Sequence, residues 1–282
     1  MRAGDNSRGA AASRNALSIL LCIAGFFYVF PFIWTLAGSL KTPSGFFADG
    51  LSVIPGNPQW HNYADAWIKG KFGLYFFNSV FITLCTVSLT ILFSSMAGYV
   101  LSRTLLPGRK VVITLIVITL FLPRGYTILP VFEIIQHLGL LNTLWAVIVV
   151  QVGGGLIFST FLFMGYMQTL PREVEEAAMM DGASFPRIYW SVIMPLVGPI
   201  IATVALFSFI GSWNDFFTPL VFSAGKPELR TLAVGMYAFQ GENSRDWTLI
   251  CAAATITLVP VITVFLFLQR YFIEGVAGAV KG

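Results

Sequence analysis

Carboxylate side chains cluster in one polar segment of this sequence, residues 171–199. Glu173, Glu175, Glu176 and Asp181 lie there within a short stretch. Clustered carboxylates can hold a metal ion or work as a general acid and base. They are also favoured in the first turn of a helix, where the helix dipole stabilises negative charge. The segment is therefore a candidate either for metal-dependent chemistry at a membrane face or for a charged contact surface.

Other catalytic side chains are sparse. The two histidines, His61 and His137, fall in predicted connectors, and no Ser-His-Asp or metalloprotease pattern is present. No GxxxxGK[ST] motif occurs, so any ATP-driven step requires a separate ATPase chain. Cys22, Cys85 and Cys251 lie in apolar runs without metal-ligand spacing, and no disulfide is expected. The sequence thus predicts a chain that is not an enzyme and that binds no cofactor or metal itself.

The polar segment is predicted to form two short helices that meet at a glycine. Pro171 suits the opening turn of the first helix, and Gly182 ends it, because a residue without Cβ readily adopts the left-handed conformation. Ser184 is the expected N-cap of the second helix. Apolar residues then repeat at helical spacing: Phe185, Ile188, Tyr189 and Val192. Small side chains at Ala177 and Ala178 permit close approach, so the helix pair is predicted to dock on a soluble partner.

Composition places these helices in a membrane protein. The chain of 282 residues is 56% hydrophobic and 11% charged, and its mean hydropathy is +0.79. A helix needs about 20 apolar residues to cross the hydrocarbon core. The sequence has six candidate spans, at residues 16–38, 74–101, 111–131, 143–167, 192–212 and 248–270. We expect an all-α integral membrane protein with the polar segment between its fourth and fifth spans.

Four local features of these elements are predicted as well. They are an amphipathic segment near Tyr63–Ile68, a kink or break at Pro123, close helix contact or a kink at Gly153, Gly154 and Gly155, and a bend at Pro195 and Pro199 early in the fifth span.

Basic residues predict the orientation of the chain. They flank the first, second and last spans, as in Arg14, Arg103, Arg109 and Arg270, and short cytoplasmic flanks are enriched in Lys and Arg. Both termini and residues 171–199 are therefore predicted to be cytoplasmic. A cleaved signal peptide is the alternative for the N-terminus, but residues 16–38 exceed a typical hydrophobic region and lack a convincing cleavage site. This topology also accounts for the net charge of +4 without a nucleic-acid partner.

Polar residues within the spans are almost all uncharged. A proton- or ion-coupled carrier needs intramembrane charge, and its near absence here weighs against that class. Asn78 and Ser79 are candidates to line a substrate pathway, but hydrogen bonding between helices is the commoner role for such residues. At the end of the fifth span, Trp213, Asn214 and Asp215 have side chains that suit sugar recognition. The alternative is that Trp213 anchors the membrane interface and Asp215 caps a turn.

The polar segment resembles the EAA loop of ABC importer permeases. The resemblance rests on Glu176, Ala177, Ala178 and Gly182, followed after nine residues by the sequence VIMP at 192–195. Further stretches are similar to carbohydrate permeases of the maltose transporter's second-permease (MalG-like) type. These stretches are GYVLSR at 98–103, LPRGYTILPVF at 122–132, GLLNT at 139–143, SWNDFFTPLVF at 212–222 and QRYFIEGVAGAVKG at 269–282.

This resemblance implies the type I ABC importer permease fold, with six transmembrane helices and a cytoplasmic coupling helix. It also implies these partners: a second related permease in a heterodimer, two copies of an ATPase that uses ATP and Mg²⁺, and an extracytoplasmic sugar-binding protein. The implied ATPase-coupling residues are Glu175, Glu176, Ala177, Ala178, Asp181, Gly182, Ala183, Phe185 and Pro195. A second ATPase contact is implied for the C-terminal tail, at Gly275, Gly278 and Lys281.

Domain organisation follows from these elements. Residues 1–15 are predicted to be a cytoplasmic segment, 16–270 a single permease domain with its core at 74–270, and 271–282 a cytoplasmic tail. The glycines of the tail would allow an extended strand or turn, and a frayed terminus is the alternative. The leading hypothesis is an ABC importer permease in the bacterial cytoplasmic membrane that transports a sugar, an oligosaccharide or a polyol. A stand-alone secondary carrier or channel and a membrane-embedded enzyme are the alternatives, and the sequence leaves the individual sugar open.

Overall fold

The computed structural model describes residues 3–48, 50, 52–103, 107–121, 127–236 and 246–280, with side chains between 14 and 269. All regular structure in these ranges is helical, which confirms the predicted all-α class. The longer helices are α1 (Ala3–Ser39), α2 (Pro43–Ala48), α3 (His61–Ile68), α4 (Phe72–Arg103), α5 (Arg109–Leu120), α6 (Ile128–His137), α7 (Leu144–Gln168), α8 (Glu173–Met180), α9 (Phe185–Leu196), α10 (Gly198–Trp213), α11 (Phe217–Phe222), α12 (Leu232–Gly235) and α13 (Trp247–Val280).

Four helical stretches are long and apolar enough to cross a membrane without a break: Arg14–Ser39, Phe72–Arg103, Leu144–Gln168 and Trp247–Gln269. Taken together, α9 and α10 are also long and apolar enough, but they meet at a bend of 78°, as in a broken span or a re-entrant loop. The predicted third span is represented by α5, whose 12 residues extend only about 18 Å at 1.5 Å per residue. The break expected at Pro123 lies outside the described residues, so the count of six spans stays a prediction.

The chain divides into two compact units, and the division falls within α13. One unit comprises residues 1–70 and 238–258, the other residues 71–237 and 259–282. In the first unit, α3 is attached to the end of α1, because the Asn62 amide donates hydrogen bonds to the carbonyls of Ser39 at 2.8 Å and Lys41 at 3.0 Å. The amphipathic segment expected near Tyr63 is α3 itself.

Helix α4 organises the second unit through a row of small polar residues. Ser79, Thr83, Thr86, Thr90 and Ser94 recur every three or four positions, so they share one face of the helix, and all are buried. Small residues let transmembrane helices approach closely, and their hydroxyls bond within the bundle. The hydroxyl of Ser94 accordingly donates to the Thr90 carbonyl. This face packs α4 against α7 and α10.

Helices α4 and α7 approach closely at Gly98. A Cβ atom there would lie 2.6 Å from Phe163 Cβ and 3.0 Å from the Met164 nitrogen. The sequence predicted close contact or a kink at Gly153, Gly154 and Gly155, but a Cβ at the first two would meet nothing within 4 Å. A glycine is required where the facing residue is bulky, as Phe163 is.

Replacing Gly98 with alanine is therefore expected to destabilise the helix pair. The added methyl cannot fit without separating α4 from α7, and overpacking of this kind costs about 1–3 kcal/mol. Gly165→Ala on α7 is the matched control, because its Cβ would meet nothing within 4 Å. The measurement is the thermal unfolding midpoint of the purified protein in detergent. Equal midpoints for the two variants would contradict the prediction.

The bend between α9 and α10 has a local cause in the sequence. Pro195 and Pro199 lack the N–H groups that an unbroken helix would use at these positions. The backbone turns at Val197, and residues Ile188–Ile193 within α9 form a π-helix. The sequence predicted the bend from these prolines, but it gave no indication of the π-helix.

Candidate functional site

The segment 171–199 forms a helix pair whose turn is closed by Gly182. Its φ angle is +78°, in the left-handed region that glycine adopts without strain. The Gly182 N–H donates to the Met179 carbonyl and the Ala183 N–H to the Ala178 carbonyl, both at 3.0 Å. These two bonds make a Schellman motif, which satisfies the last carbonyls of α8. Ser184 has the extended conformation of an N-cap, but its side chain makes no capping hydrogen bond.

Glu175 attaches this helix pair to the end of α4. Its carboxylate lies 2.6 Å from Nε of Arg103, and both side chains are 8% exposed. The contact is an ion pair whose N–H is not aligned with the oxygen, and the Tyr99 hydroxyl donates to the second carboxylate oxygen at 3.2 Å. Arg103 also donates to the Leu170 carbonyl at 2.9 Å. Glu175 therefore faces the interior of the unit, whereas the sequence grouped it with residues on the docking face.

The remaining residues of the helix pair form an exposed surface with apolar character. Ala178 and Ala183 are half-buried against the core beneath. Glu176, Ala177, Asp181, Phe185 and Pro195 are exposed. Large apolar side chains are exposed beside them, including Met180 at 87% and Met179 at 54%. We call the surface made by Val174, Glu176, Ala177, Met179, Met180 and Phe185 the docking surface.

Two of the predicted pathway residues have structural contacts. The Asn78 amide donates to the carbonyls of Glu228 at 2.8 Å and Arg230 at 3.0 Å. The Ser79 hydroxyl accepts a hydrogen bond from the Leu232 N–H at 2.8 Å, at the start of α12. Both side chains are buried. They fasten the polar segment that precedes α12 to α4, and neither lines the cavity described next.

A cavity of about 840 Å³ lies among α4, α6, α7, α10 and α11. Asn214 and Asp215 line it, but Trp213 does not. The Trp213 side chain is 2% exposed and stacks on Phe209 with ring centres 5.6 Å apart. Of the three predicted sugar contacts at the end of the fifth span, two therefore face an open volume and one belongs to the packed core.

Gln151 is the centre of a polar network at this cavity. Its amide nitrogen donates to Asp215 at 3.0 Å, and its amide oxygen accepts from Ser212 at 2.7 Å and from Thr86 at 3.1 Å. Asp215 also accepts from the Thr218 N–H at 3.1 Å, which confirms its predicted turn-capping contact. The sequence analysis missed Gln151. The available sign was an amide near the middle of an otherwise apolar span.

The C-terminal tail is helical where an extended strand or turn was expected. Helix α13 continues through Gly275 and Gly278 to Val280, and Lys281 lies outside the described residues. Tail contact with an ATPase stays a prediction. Within the described ranges, no three His, Cys, Asp or Glu side chains are grouped so that they could hold a metal ion.

Comparisons with known proteins cover nearly the whole chain. Residues 74–278 match the family described as "Binding-protein-dependent transport system inner membrane component". The melibiose/raffinose/stachyose import permease protein MelC of Bacillus subtilis is 32% identical over 96% of this chain and 98% of its own length. The diacetylchitobiose uptake permease NgcG of Streptomyces coelicolor is 33% identical over 99% of this chain and 90% of its own. The sulfoquinovosyl glycerol permease SmoH of Agrobacterium fabrum is 34% identical over 90% and 89%.

A solved structure has the same fold. It is the crystal structure of a bacterial ABC transporter involved in the import of the acidic polysaccharide alginate, with a TM-score of 0.81. The match covers 96% of this chain and 99% of that one, at 23% sequence identity. At this identity the likeness extends to the fold and not to the transported solute.

Proposed function

This chain belongs to the family of binding-protein-dependent transport system inner membrane components, and from that premise we propose that it is the permease of an ATP-driven importer for a carbohydrate. Its relatives from several bacteria are named as permeases for oligosaccharides or for a glycosylated glycerol. As a permease subunit of a multi-pass membrane family, it carries its solute across the bilayer and catalyses no bond change. A neutral oligosaccharide is the substrate class that most of these names share.

The docking surface is the observation that carries the coupling part of this proposal. It exposes large apolar side chains, Met180 above all, on a helix pair that is attached firmly to α4 by the buried Glu175–Arg103 pair. Exposed apolar groups rimmed by polar residues mark protein interaction sites. A separate ATPase that binds ATP and Mg²⁺ would receive this surface in a cleft. The complete importer would contain two ATPase copies, a second related permease and an extracytoplasmic sugar-binding protein.

Charge supports a cytoplasmic location for the docking surface. Arg103 ends α4, and Arg109 and Lys110 begin α5. The contact between Arg103 and Glu175 brings the helix pair to the same end of α4 as these basic residues. Because Lys and Arg are enriched in cytoplasmic flanks, the docking surface and its ATPase belong in the cytoplasm. Both termini are proposed to lie on that side.

Charge reversal at Glu176 tests the docking. The side chain is exposed on α8, so Glu176→Lys is expected to leave the fold intact. An unfavourable charge contact of about 1.4 kcal/mol would lower the amount of ATPase that co-purifies with the tagged chain about tenfold. Mass spectrometry of the gently solubilised complex gives the measurement. Glu133→Lys is the matched control, because it makes the same change at an exposed site on α6, outside the docking surface.

The same experiment separates the importer from a secondary carrier. Wild-type chain that purifies without any ATPase or second permease would contradict the importer assignment. Vesicles that contain the chain alone would then be tested for uptake of raffinose with an ion gradient and no ATP. Uptake under those conditions would support the carrier instead.

A further inference from the structure

We propose that the cavity around Gln151 is a subsite that binds the hydroxyl groups of a neutral sugar during its passage. The inference rests on the proposed function and deepens it, because it assigns sugar contact to this chain and a charge class to the sugar. Its volume of about 840 Å³ lies within the range of about 300–1,000 Å³ that is usual for small-molecule sites. The case depends on the polar network, on one buried hydroxyl and on the cavity walls.

The Gln151–Asp215 pair leaves hydrogen-bonding capacity directed at the cavity. A carboxylate offers about four acceptor positions, and in Asp215 the amide of Gln151 and the N–H of Thr218 are the two donors observed. Both Gln151 and Asp215 line the cavity. Sugar hydroxyls can donate to the remaining acceptor positions of Asp215.

Thr90 provides independent support from α4. Its hydroxyl oxygen is buried, and the side chain is 1% exposed. It has no hydrogen-bond partner among the described residues, although it lines the cavity. Buried hydroxyls are nearly always paired, with protein or with a bound molecule. Because this oxygen is closed to solvent, a sugar hydroxyl would pair with it only after a local shift of the cavity wall.

The glycine run on α7 keeps part of the cavity wall free of side chains. A Cβ on Gly155 would lie 3.9 Å from Thr90 Oγ1, and the positions of Cβ atoms on Gly153 and Gly154 are empty to 4 Å. All three glycines line the cavity. They form a wall of bare backbone, which gives the solute room where larger side chains would fill it. This placement accounts for the glycines better than helix packing does.

The other walls suit the apolar faces of a pyranose ring. Phe158 and Phe207 meet edge to face with ring centres 6.2 Å apart, and both are partly exposed to the cavity. Aromatic faces pack against the C–H groups of sugars while nearby polar atoms bind the hydroxyls. No lysine or arginine is among the lining residues that the structure describes. Because Asp215 repels anions, the cavity is expected to accept neutral sugars and to reject phosphorylated ones.

Protection of an engineered cysteine at Ser208 tests the subsite directly. Ser208 lines the cavity, and its side chain makes no hydrogen bond with the residues that the structure describes. The three native cysteines are first removed from the chain by Cys22→Ser, Cys85→Ala and Cys251→Ala, and Ser208→Cys is then the single reactive position. The complete solubilised transporter that contains this chain is treated with N-ethylmaleimide. Raffinose or trehalose at twice its dissociation constant is expected to slow alkylation about threefold. Trehalose 6-phosphate is the matched anionic probe and is expected to give no protection. In Asp215→Asn, the neutral sugars should protect less and the difference between trehalose and its phosphate should shrink.

Controls separate the possible outcomes. Ser191→Cys lies in the exposed part of α9, outside the cavity, and its alkylation should not respond to sugar. A cysteine at position 208 that is unreactive even without sugar would mean that another subunit fills the cavity, and this would overturn the inference. Equal protection at both positions, or equal protection by trehalose and its phosphate, would overturn it too.

ATP-driven uptake by the wild-type transporter is measured in parallel. If sugar does not protect the cysteine at position 208 but uptake is intact, the subsite inference alone is contradicted. If the transporter takes up no sugar at all, the proposed function is contradicted as well.

Discussion

Gly182→Pro is expected to reduce ATP-driven sugar uptake about a hundredfold, while the chain still inserts into the membrane. Proline requires a φ angle near −65°, whereas Gly182 has +78°. It would also remove the N–H that bonds the Met179 carbonyl. A local cost of about 3 kcal/mol corresponds to roughly a hundredfold shift away from the native turn. The docking surface would then lose its shape, although the transmembrane helices stay intact.

The measurement combines uptake into vesicles with the amount of chain in the membrane and the amount of ATPase bound to it. Gly182→Asn is the matched control, because asparagine tolerates the left-handed conformation and keeps the backbone N–H. It should retain most of the uptake. Full uptake by Gly182→Pro would show that the turn does not couple the permease to ATP, and the assignment of the docking surface would be wrong.

Arg103→Met is expected to destabilise the protein by about 3–5 kcal/mol, because it leaves the buried carboxylate of Glu175 without its ion-pair partner. The pair is 8% exposed on both sides, so water cannot replace the lost charge. Arg103→Met also removes the donor to the Leu170 carbonyl. The expected results are a lower thermal midpoint in detergent and easier proteolysis of residues 171–199.

A double variant distinguishes the loss of the Arg103–Glu175 contact from the cost of a buried carboxylate without a partner. Arg103→Met with Glu175→Leu removes both charges and should recover much of the stability, because an apolar pair can replace a buried ion pair. Lys69→Met is the control for ion pairs in general. Lys69 lies 3.0 Å from Asp65 but is 73% exposed, and a surface pair contributes about 0–1 kcal/mol. An effect of Arg103→Met no larger than that of Lys69→Met would refute the anchoring role of Glu175.

Local sequence patterns predicted much of this fold. Long apolar runs located the unbroken spans, and Gly182 marked the turn of the helix pair because its left-handed conformation is a local requirement. The same patterns could not separate Glu175 from Glu176. Both are acidic residues in the first turn of α8, and only the contact with Arg103, far away in the sequence, determines that Glu175 is buried.

The cavity shows a similar limit. Asn214 and Asp215 were predicted from residue type, and both line it. Trp213 was predicted with them, but its direction depends on packing against Phe76 and Phe209, which no short pattern encodes. Glycines in a span likewise permit two helices to approach closely, but their spacing does not specify at which glycine the helices meet. Gly98 is the tight contact because Phe163 faces it.

Helix α4 connects these features mechanically. It is one unbroken helix, Phe72–Arg103, that holds the docking helices through Arg103 at one end and lines the cavity with Thr90 further along. Gly98 lies between them at a close contact with Phe163 of α7. At 1.5 Å per residue, the distances from Gly98 are about 7.5 Å to Arg103 and about 12 Å to Thr90. The docking helices and the cavity are therefore attached to the same continuous helix, so a displacement of α4 at Arg103 would reach the cavity wall without passing through a loop.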